Sequence, residues 1–137
     1  MDDKIQALSD YRLEKSKQDL ETAKINFEHN MLTQSINRSY YAAFHALRAL
    51  LAYDCFDSKK HSSILGYFNK NYIANEKIEQ EYYRIIASAF DIRTKSDYQD
   101  FYIVSKDEAK KQLINAEGFI NMIENYIDRW YKRVNNA

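Results

Sequence analysis

Apolar residues recur along this chain three and four positions apart almost from end to end, the spacing of one face of an α-helix. Five segments separate on that pattern. The first, about residues 4–29, carries Leu13, Leu20, Ala23 and Phe27 on one side, and Asn30 follows it as a turn residue. The second, about 32–54, has the strongest stripe, with Ile36, Tyr40, Ala43, Phe44, Leu47, Leu50 and Leu51 on one face. Beside that stripe Ala42, Ala46 and Ala49 form a strip of small residues that a neighbouring helix can approach closely. Asn37, Arg38, Tyr41, His45 and Arg48 take the narrow arc left over. A helix with so little polar surface belongs near the centre of a bundle.

The third segment, about 58–72, is shorter and follows Asp57-Ser58, a cap candidate. The fourth, about 76–95, starts after Asn75 and carries Ile78, Tyr82, Ile85, Ala89 and Ile92, with Tyr83, Ile86 and Phe90 alongside. Residues 96–104 read as a loop rich in aromatics. Ser105-Lys106-Asp107-Glu108 then has the spacing of a capping box. The fifth segment repeats Ala109, Leu113, Ala116, Ile120, Ile123, Ile127, Trp130 and Val134, with Lys110, Lys111, Arg129, Lys132 and Arg133 off the stripe. Short connections favour antiparallel neighbours. The expected fold is all-α: an up-and-down bundle of four long helices plus one shorter helix, as a single domain over residues 1–137.

Composition narrows the chemistry. The 137 residues include no Pro and two Gly, Gly66 and Gly118, so no glycine-rich phosphate loop can form. A lone Cys55 excludes an internal disulfide, and its neighbours Asp54 and Asp57 disfavour a thiolate. None of His29, His45 and His61 stands three residues after a Glu, the pattern of a di-metal bundle. No metal and no cofactor are expected. The longest apolar stretch, 42–53, contains His45 and Arg48 and is too short to span a bilayer, and the acidic start shows no secretory signal, so a cytoplasmic protein away from membranes is expected. Lys plus Arg and Asp plus Glu are 20 each, which argues against a broad basic nucleic-acid surface. The charge is unevenly spread, however: residues 31–72 hold five Lys or Arg against two acids. A local anion site is compatible with the neutral total.

Arg93 is the sharpest candidate. It extends the apolar side of the fourth segment, and Asp97 follows it at i+4, within reach if the helix continues that far. Spacing leaves two readings open: an Arg–Asp clamp that fixes the helix end, or an Arg presented to a phosphate with Tyr98 beside it. Arg38 is either a second phosphate contact or a surface charge, and Tyr41 shares its arc. His61, after Lys59 and Lys60, sits where a helix N-terminus favours anions, or in a solvated basic turn.

Three stretches together resemble the HEPN family of small helical proteins. They are Asn37-Arg38-Ser39-Tyr40-Tyr41-Ala42-Ala43-Phe44-His45, then Lys60-His61-Ser62 with Phe68 beyond it, then Arg93-Thr94-Lys95-Ser96-Asp97-Tyr98. The last is similar to the Arg-x-x-Ala/Ser-Asp-Tyr element of one prokaryotic subgroup. The resemblance spans nearly the whole chain. It implies a helical bundle, commonly a homodimer, and many members are metal-independent ribonucleases, often toxins paired with a small nucleotidyltransferase. Their site is an Arg-x4–6-His element in which His transfers protons and Arg stabilises phosphorane-like charge.

Here the positions after Arg93 that the element allots to His hold Tyr98, Gln99 and Asp100. Arg93 therefore carries over and the His does not. Tyr is a poor general base near neutral pH. His61 is the candidate replacement if folding brings it near Arg93, which makes Arg93, Tyr98 and His61 the catalytic candidates. Arg93, Asp97, Tyr98, Arg38 and Tyr41 are the ligand-binding candidates. The leading expectation is a helical dimer that binds RNA or a nucleotide, as one component of a toxin–antitoxin or defence module. The alternatives are a metal-independent endoribonuclease and a non-catalytic interaction module.

Overall fold

The computed structural model describes residues 3–132, and among these there are helices and connections but no strand. Helix α1 spans Asp3–Glu28, α2 Leu32–Ala52, α3 His61–Phe68, α4 Gln80–Tyr98 and α5 Lys106–Ile127. A π-helical turn, Asn69–Ile73, continues α3, and a second, Asp128–Lys132, continues α5. The all-α bundle read from the periodicity is the fold observed.

Paired residues give its direction. Ser16 Oγ donates to the Ala42 carbonyl at 2.6 Å and Ser35 Oγ to the Ala23 carbonyl at 2.9 Å, so α1 and α2 run antiparallel. Lys17–Glu124 and Lys24–Glu117 set α5 antiparallel to α1. Tyr41–Arg93 and Asn37–Asp97 set α4 antiparallel to α2. Helix α2 is therefore central. Ala42, Ala46 and Ala49 are fully buried, and Ser9 and Ser16 of α1 are buried too. Small side chains on both helices allow the close approach in which a serine hydroxyl reaches the neighbouring backbone. The opposite face of α2 places Tyr40, Leu47, Leu50 and Leu51 in the main core with Phe68, Ile86, Phe119 and Ile123.

Local chemistry sets most of the boundaries. Asn30 turns the chain with φ 58, a conformation Asn tolerates better than most residues. Ser105 caps α5, its Oγ accepting from the Glu108 N–H at 3.0 Å.

Four expectations are corrected. Helix α3 begins at His61 rather than near residue 58: Asp57 is engaged by Arg12, Arg48 and the Ser58 N–H, and the Ser58 hydroxyl by the Lys60 N–H, so both side chains are spent before the helix starts. Helix α4 begins at Gln80 rather than near 76, since Glu76 adopts φ 62. It also runs on to Tyr98, so the loop before α5 starts at Gln99 rather than Ser96. The last correction concerns Trp130, placed on the inward stripe by its spacing. The π-helical turn adds a residue to the last helical cycle, and Tyr131 packs inward against Tyr53 (ring centroids 4.5 Å) while Trp130 turns out. Arg133 and Val134 lie outside the described residues.

Candidate functional site

Helix α2 presents Arg38 and Tyr41 one turn apart on its polar arc, and α4 brings Arg93 to the same place. The Arg93 terminal nitrogen donates to the Tyr41 hydroxyl at 2.9 Å. The Arg93 and Arg38 guanidinium carbons lie 5.1 and 5.0 Å from the Tyr41 ring centre. Two cations on one electron-rich ring repel each other, and carboxylates on either side offset this. Asp97 Oδ2 lies 2.9 Å from Arg93 Nε, an ion pair away from the ideal N–H direction. Asp19 Oδ1 accepts from Arg38 at 3.1 Å. Asn37 links the halves: its Oδ1 accepts from Arg38 at 2.8 Å, and its Nδ2 donates to Asp97 at 3.4 Å. A cleft of about 350 Å3 opens beside Asn37, Arg38 and Asp97, with Thr22, Asn26, Thr33 and Gln34 completing its wall.

His61, the first residue of α3, reaches the same aromatic pair from the other side of the sequence. Its Nδ1 is 2.6 Å from the Tyr40 hydroxyl, and its ring stacks on Phe44 with centroids 4.1 Å apart. Arg93 also lies over the Tyr40 ring, at 5.6 Å. Burial, then the charges of Arg93 and Arg48, push the His61 pKa below its ordinary value, which favours neutral imidazole at pH 7. Tyr40 is fully buried and its hydroxyl is held protonated by desolvation, so it serves His61 as a neutral partner. Among the described residues His61 Nε2 makes no hydrogen bond, and His61 lines a second cleft of about 510 Å3 with Phe44, Arg48, Lys59, Ser58 and Asp57.

The structure thus brings Arg93, Asp97, Arg38 and Tyr41 together and sets His61 against the adjoining ring. Tyr98 is apart from them in exposure: it is 75% exposed at the end of α4. Sequence reasoning passed over Tyr40, Asn37 and Asp19. Asn37 had a signal in its place beside Arg38 on the polar arc. Tyr40 looked like core, and only the fold shows that its hydroxyl meets His61.

His45 lies nearby but plays a different part. Its Nε2 is 3.5 Å from Asp19 Oδ2. Burial, followed by the charges of Lys15, Arg48, Arg38 and Arg12, pushes its pKa down to about 4. These outweigh the attraction of Asp19, so His45 is a neutral packed residue near pH 7. Among the described residues no group of three or more His, Cys, Asp or Glu could hold a metal ion. No helix there is long and apolar enough to cross a membrane.

Fold and site define a class: a small helical bundle whose central helix carries a Tyr-Tyr pair gripped by arginine and histidine from the flanking helices. Residues 9–126 match the HEPN domain model. The chain belongs to the HEPN family. It is 33% identical over 122 residues to the Methanocaldococcus jannaschii protein named "Putative toxin MJ0605", covering 89% of this chain and 87% of that one. A "UPF0332 protein" of Thermotoga maritima is 29% identical over 119 residues, covering 87% and 90%. A second M. jannaschii protein, "Putative toxin MJ0142", is 28% identical over 115 residues, covering 84% and 78%.

Proposed function

We propose that this chain is a toxin-type HEPN module that binds single-stranded RNA at Arg93, Arg38 and Tyr41. The observation that carries the reading is the pair of guanidinium groups on one tyrosine ring, linked by way of Asn37, which bonds Arg38, and Asp97, which pairs with Arg93. Two cations held together against their mutual repulsion suit a ligand carrying successive negative charges, which a phosphodiester strand does. The toxin part of the reading is supported by family membership and by the names of two relatives. A homodimer and a small nucleotidyltransferase as protein partner belong to the same proposal.

A second reading, metal-independent RNA cleavage, is favoured by one observation: His61 lines a cleft together with Arg48 and Lys59 while Tyr40 engages its Nδ1. In that reading neutral His61 accepts the 2′-hydroxyl proton as the oxygen attacks phosphorus. The bond from phosphorus to the 5′-oxygen breaks to leave a 2′,3′-cyclic phosphate, and the leaving 5′-oxygen takes a proton from solvent while His61 releases its own. Arg93 stabilises the charge that develops on the phosphoryl oxygens.

The test uses labelled single-stranded RNA in EDTA, followed by anisotropy and by gel. Binding is expected to weaken steeply with salt, and Arg93→Ala to weaken it at least about tenfold with the melting temperature nearly unchanged. Wild-type affinity in Arg93→Ala sinks the proposal. Cleavage that disappears in both Arg93→Ala and His61→Ala establishes the enzyme reading, and sedimentation at micromolar concentration reads the dimer.

A further inference from the structure

The other end of α2 holds a feature that the Arg93 site leaves unexplained. Trp130 is the sole tryptophan of the chain, and it stands 53% exposed on the π-helical turn after α5. Turns of this kind are uncommon and frequently mark functional positions. This one is firmly anchored. The Tyr131 hydroxyl is 2.9 Å from that of Tyr72 and donates to Asp54 at 3.3 Å, and its ring stacks on Tyr53. Lys132 pairs with Asp10 at 3.2 Å on α1. The indole is therefore held outward by its neighbours rather than left hanging at a frayed end.

Two clefts, of about 390 and 320 Å3, adjoin Trp130, and both are lined by Lys77 and Tyr126 as well. The guanidinium of Arg129 lies 5.4 Å from the indole, and Asn125 faces the smaller cleft. Flat apolar walls, an amide and two cations, with Glu76 in the wall of one cleft and Glu79 in that of the other, make a surface for a planar heteroaromatic ring whose phosphate the cations can reach. A protein partner fits less well, since Trp130 is the single exposed large hydrophobic residue among those that line the two clefts.

We infer that Trp130 is a stacking platform for an unpaired nucleobase, with Lys77 and Arg129 receiving the adjoining phosphates, at a subsite remote from Arg93. The inference rests on the RNA-binding reading above and extends it. Tyr41, which meets Arg93, lies about 16 Å of helical rise before the end of α2 at Ala52, and Asp54, which anchors Tyr131, follows just beyond that end. One strand can thus engage both places, and a dinucleotide cannot.

The sole tryptophan makes the test direct. Wild type, Trp130→Ala, Lys77→Ala and Arg93→Ala are titrated with a dinucleotide and with an oligoribonucleotide of about ten nucleotides, reading intrinsic fluorescence and the anisotropy of the labelled RNA. The oligomer should quench wild-type emission saturably. Trp130→Ala should bind it roughly tenfold or more weakly, as loss of a base–aromatic stack entails, and bind the dinucleotide as wild type does. Arg93→Ala should shift the quenching to higher oligomer concentration without removing its end-point. Lys77→Ala keeps the indole and should weaken quenching, which guards against a Trp130 variant that folds poorly. Oligomer binding by anisotropy with unmoved Trp130 emission and unchanged affinity in Trp130→Ala overturns the inference and leaves the Arg93 site standing. Absence of binding to either RNA overturns both. Emission that follows protein concentration instead of RNA assigns the surface to a second copy of the chain and likewise overturns it.

Discussion

Two arginine–aspartate groups flank α2, and they differ in what they join. Asp57 accepts from Arg48 of α2 at 2.7 Å and from Arg12 of α1 at 3.3 Å, and Arg12 also donates to the Arg48 carbonyl at 3.0 Å. Three parts of the chain are locked there, and the hydrogen bonds from Arg48 hold the Asp57 carboxyl below its usual range. Arg93 and Asp97 are neighbours on a single helix, so their pairing restrains no second element by itself. What reaches across to α2 is the outer edge of the group, through Tyr41 and Asn37. A clamp closes on elements of its own protein. Both groups border clefts, Arg48 and Asp57 one of them and Asn37, Arg38 and Asp97 the other, so the difference lies in what each group joins.

The sharpest way to probe this contrast is acid. His45 stands between the two groups, flanked by Arg12 and Arg48 on one hand and Arg38 on the other. Its pKa of about 4 lies below the unfolded value, so the unfolded chain binds the proton more readily. The stability His45 contributes is complete above about pH 6.5 and is lost as pH falls toward 4, by about 3 kcal/mol in all. Urea melts of His45→Gln against wild type should converge over that interval. Parallel curves would mean that neither burial nor the surrounding cations hold His45 neutral.

Next in size, Arg12→Ala should lower the unfolding free energy by about 2 kcal/mol, because Arg12 is nearly buried and its removal leaves a carbonyl and Asp57 short of a donor. RNA affinity should hardly change. An Arg93→Ala variant as destabilised as Arg12→Ala would make both groups clamps and erase the difference between them. Smaller again, Asp97→Ala should cost no more than about 0.5 kcal/mol, the usual worth of an i,i+4 pair. It should nevertheless alter RNA binding severalfold by freeing Arg93 and Asn37. Unchanged binding would remove Asp97 from the site.

The legible part of this protein was whatever depends on neighbours in sequence. The Ser105 cap, the turn at Asn30 and the alanine strip of α2 are all local patterns, and each appears as read. Asp57 does not cap α3 because its carboxylate is taken by Arg48, nine residues away, and by Arg12, 45 residues away. The bond between Tyr40 and His61 spans 21 residues and joins a residue read as core to one read as an anion-favouring helix start or a basic turn. Trp130 was placed inward because periodicity assumes a uniform helix, and a π-helical turn breaks that assumption in a single step. The arginines at Tyr41 were each visible, but their meeting on one ring is a property of the antiparallel packing of α2 and α4.

The serine–alanine seam between α1 and α2 has a consequence in time as well as in space. Backbone amides packed on both sides open to exchange only when the whole domain opens, so those of α2 should be among the slowest in the chain. Arg38, Tyr40 and Tyr41 ride on that helix, whereas Arg93 lies in the last turns of α4, whose end can fray alone. The half of the site on α2 should therefore persist for as long as the native state does, while Arg93 comes and goes on a faster clock.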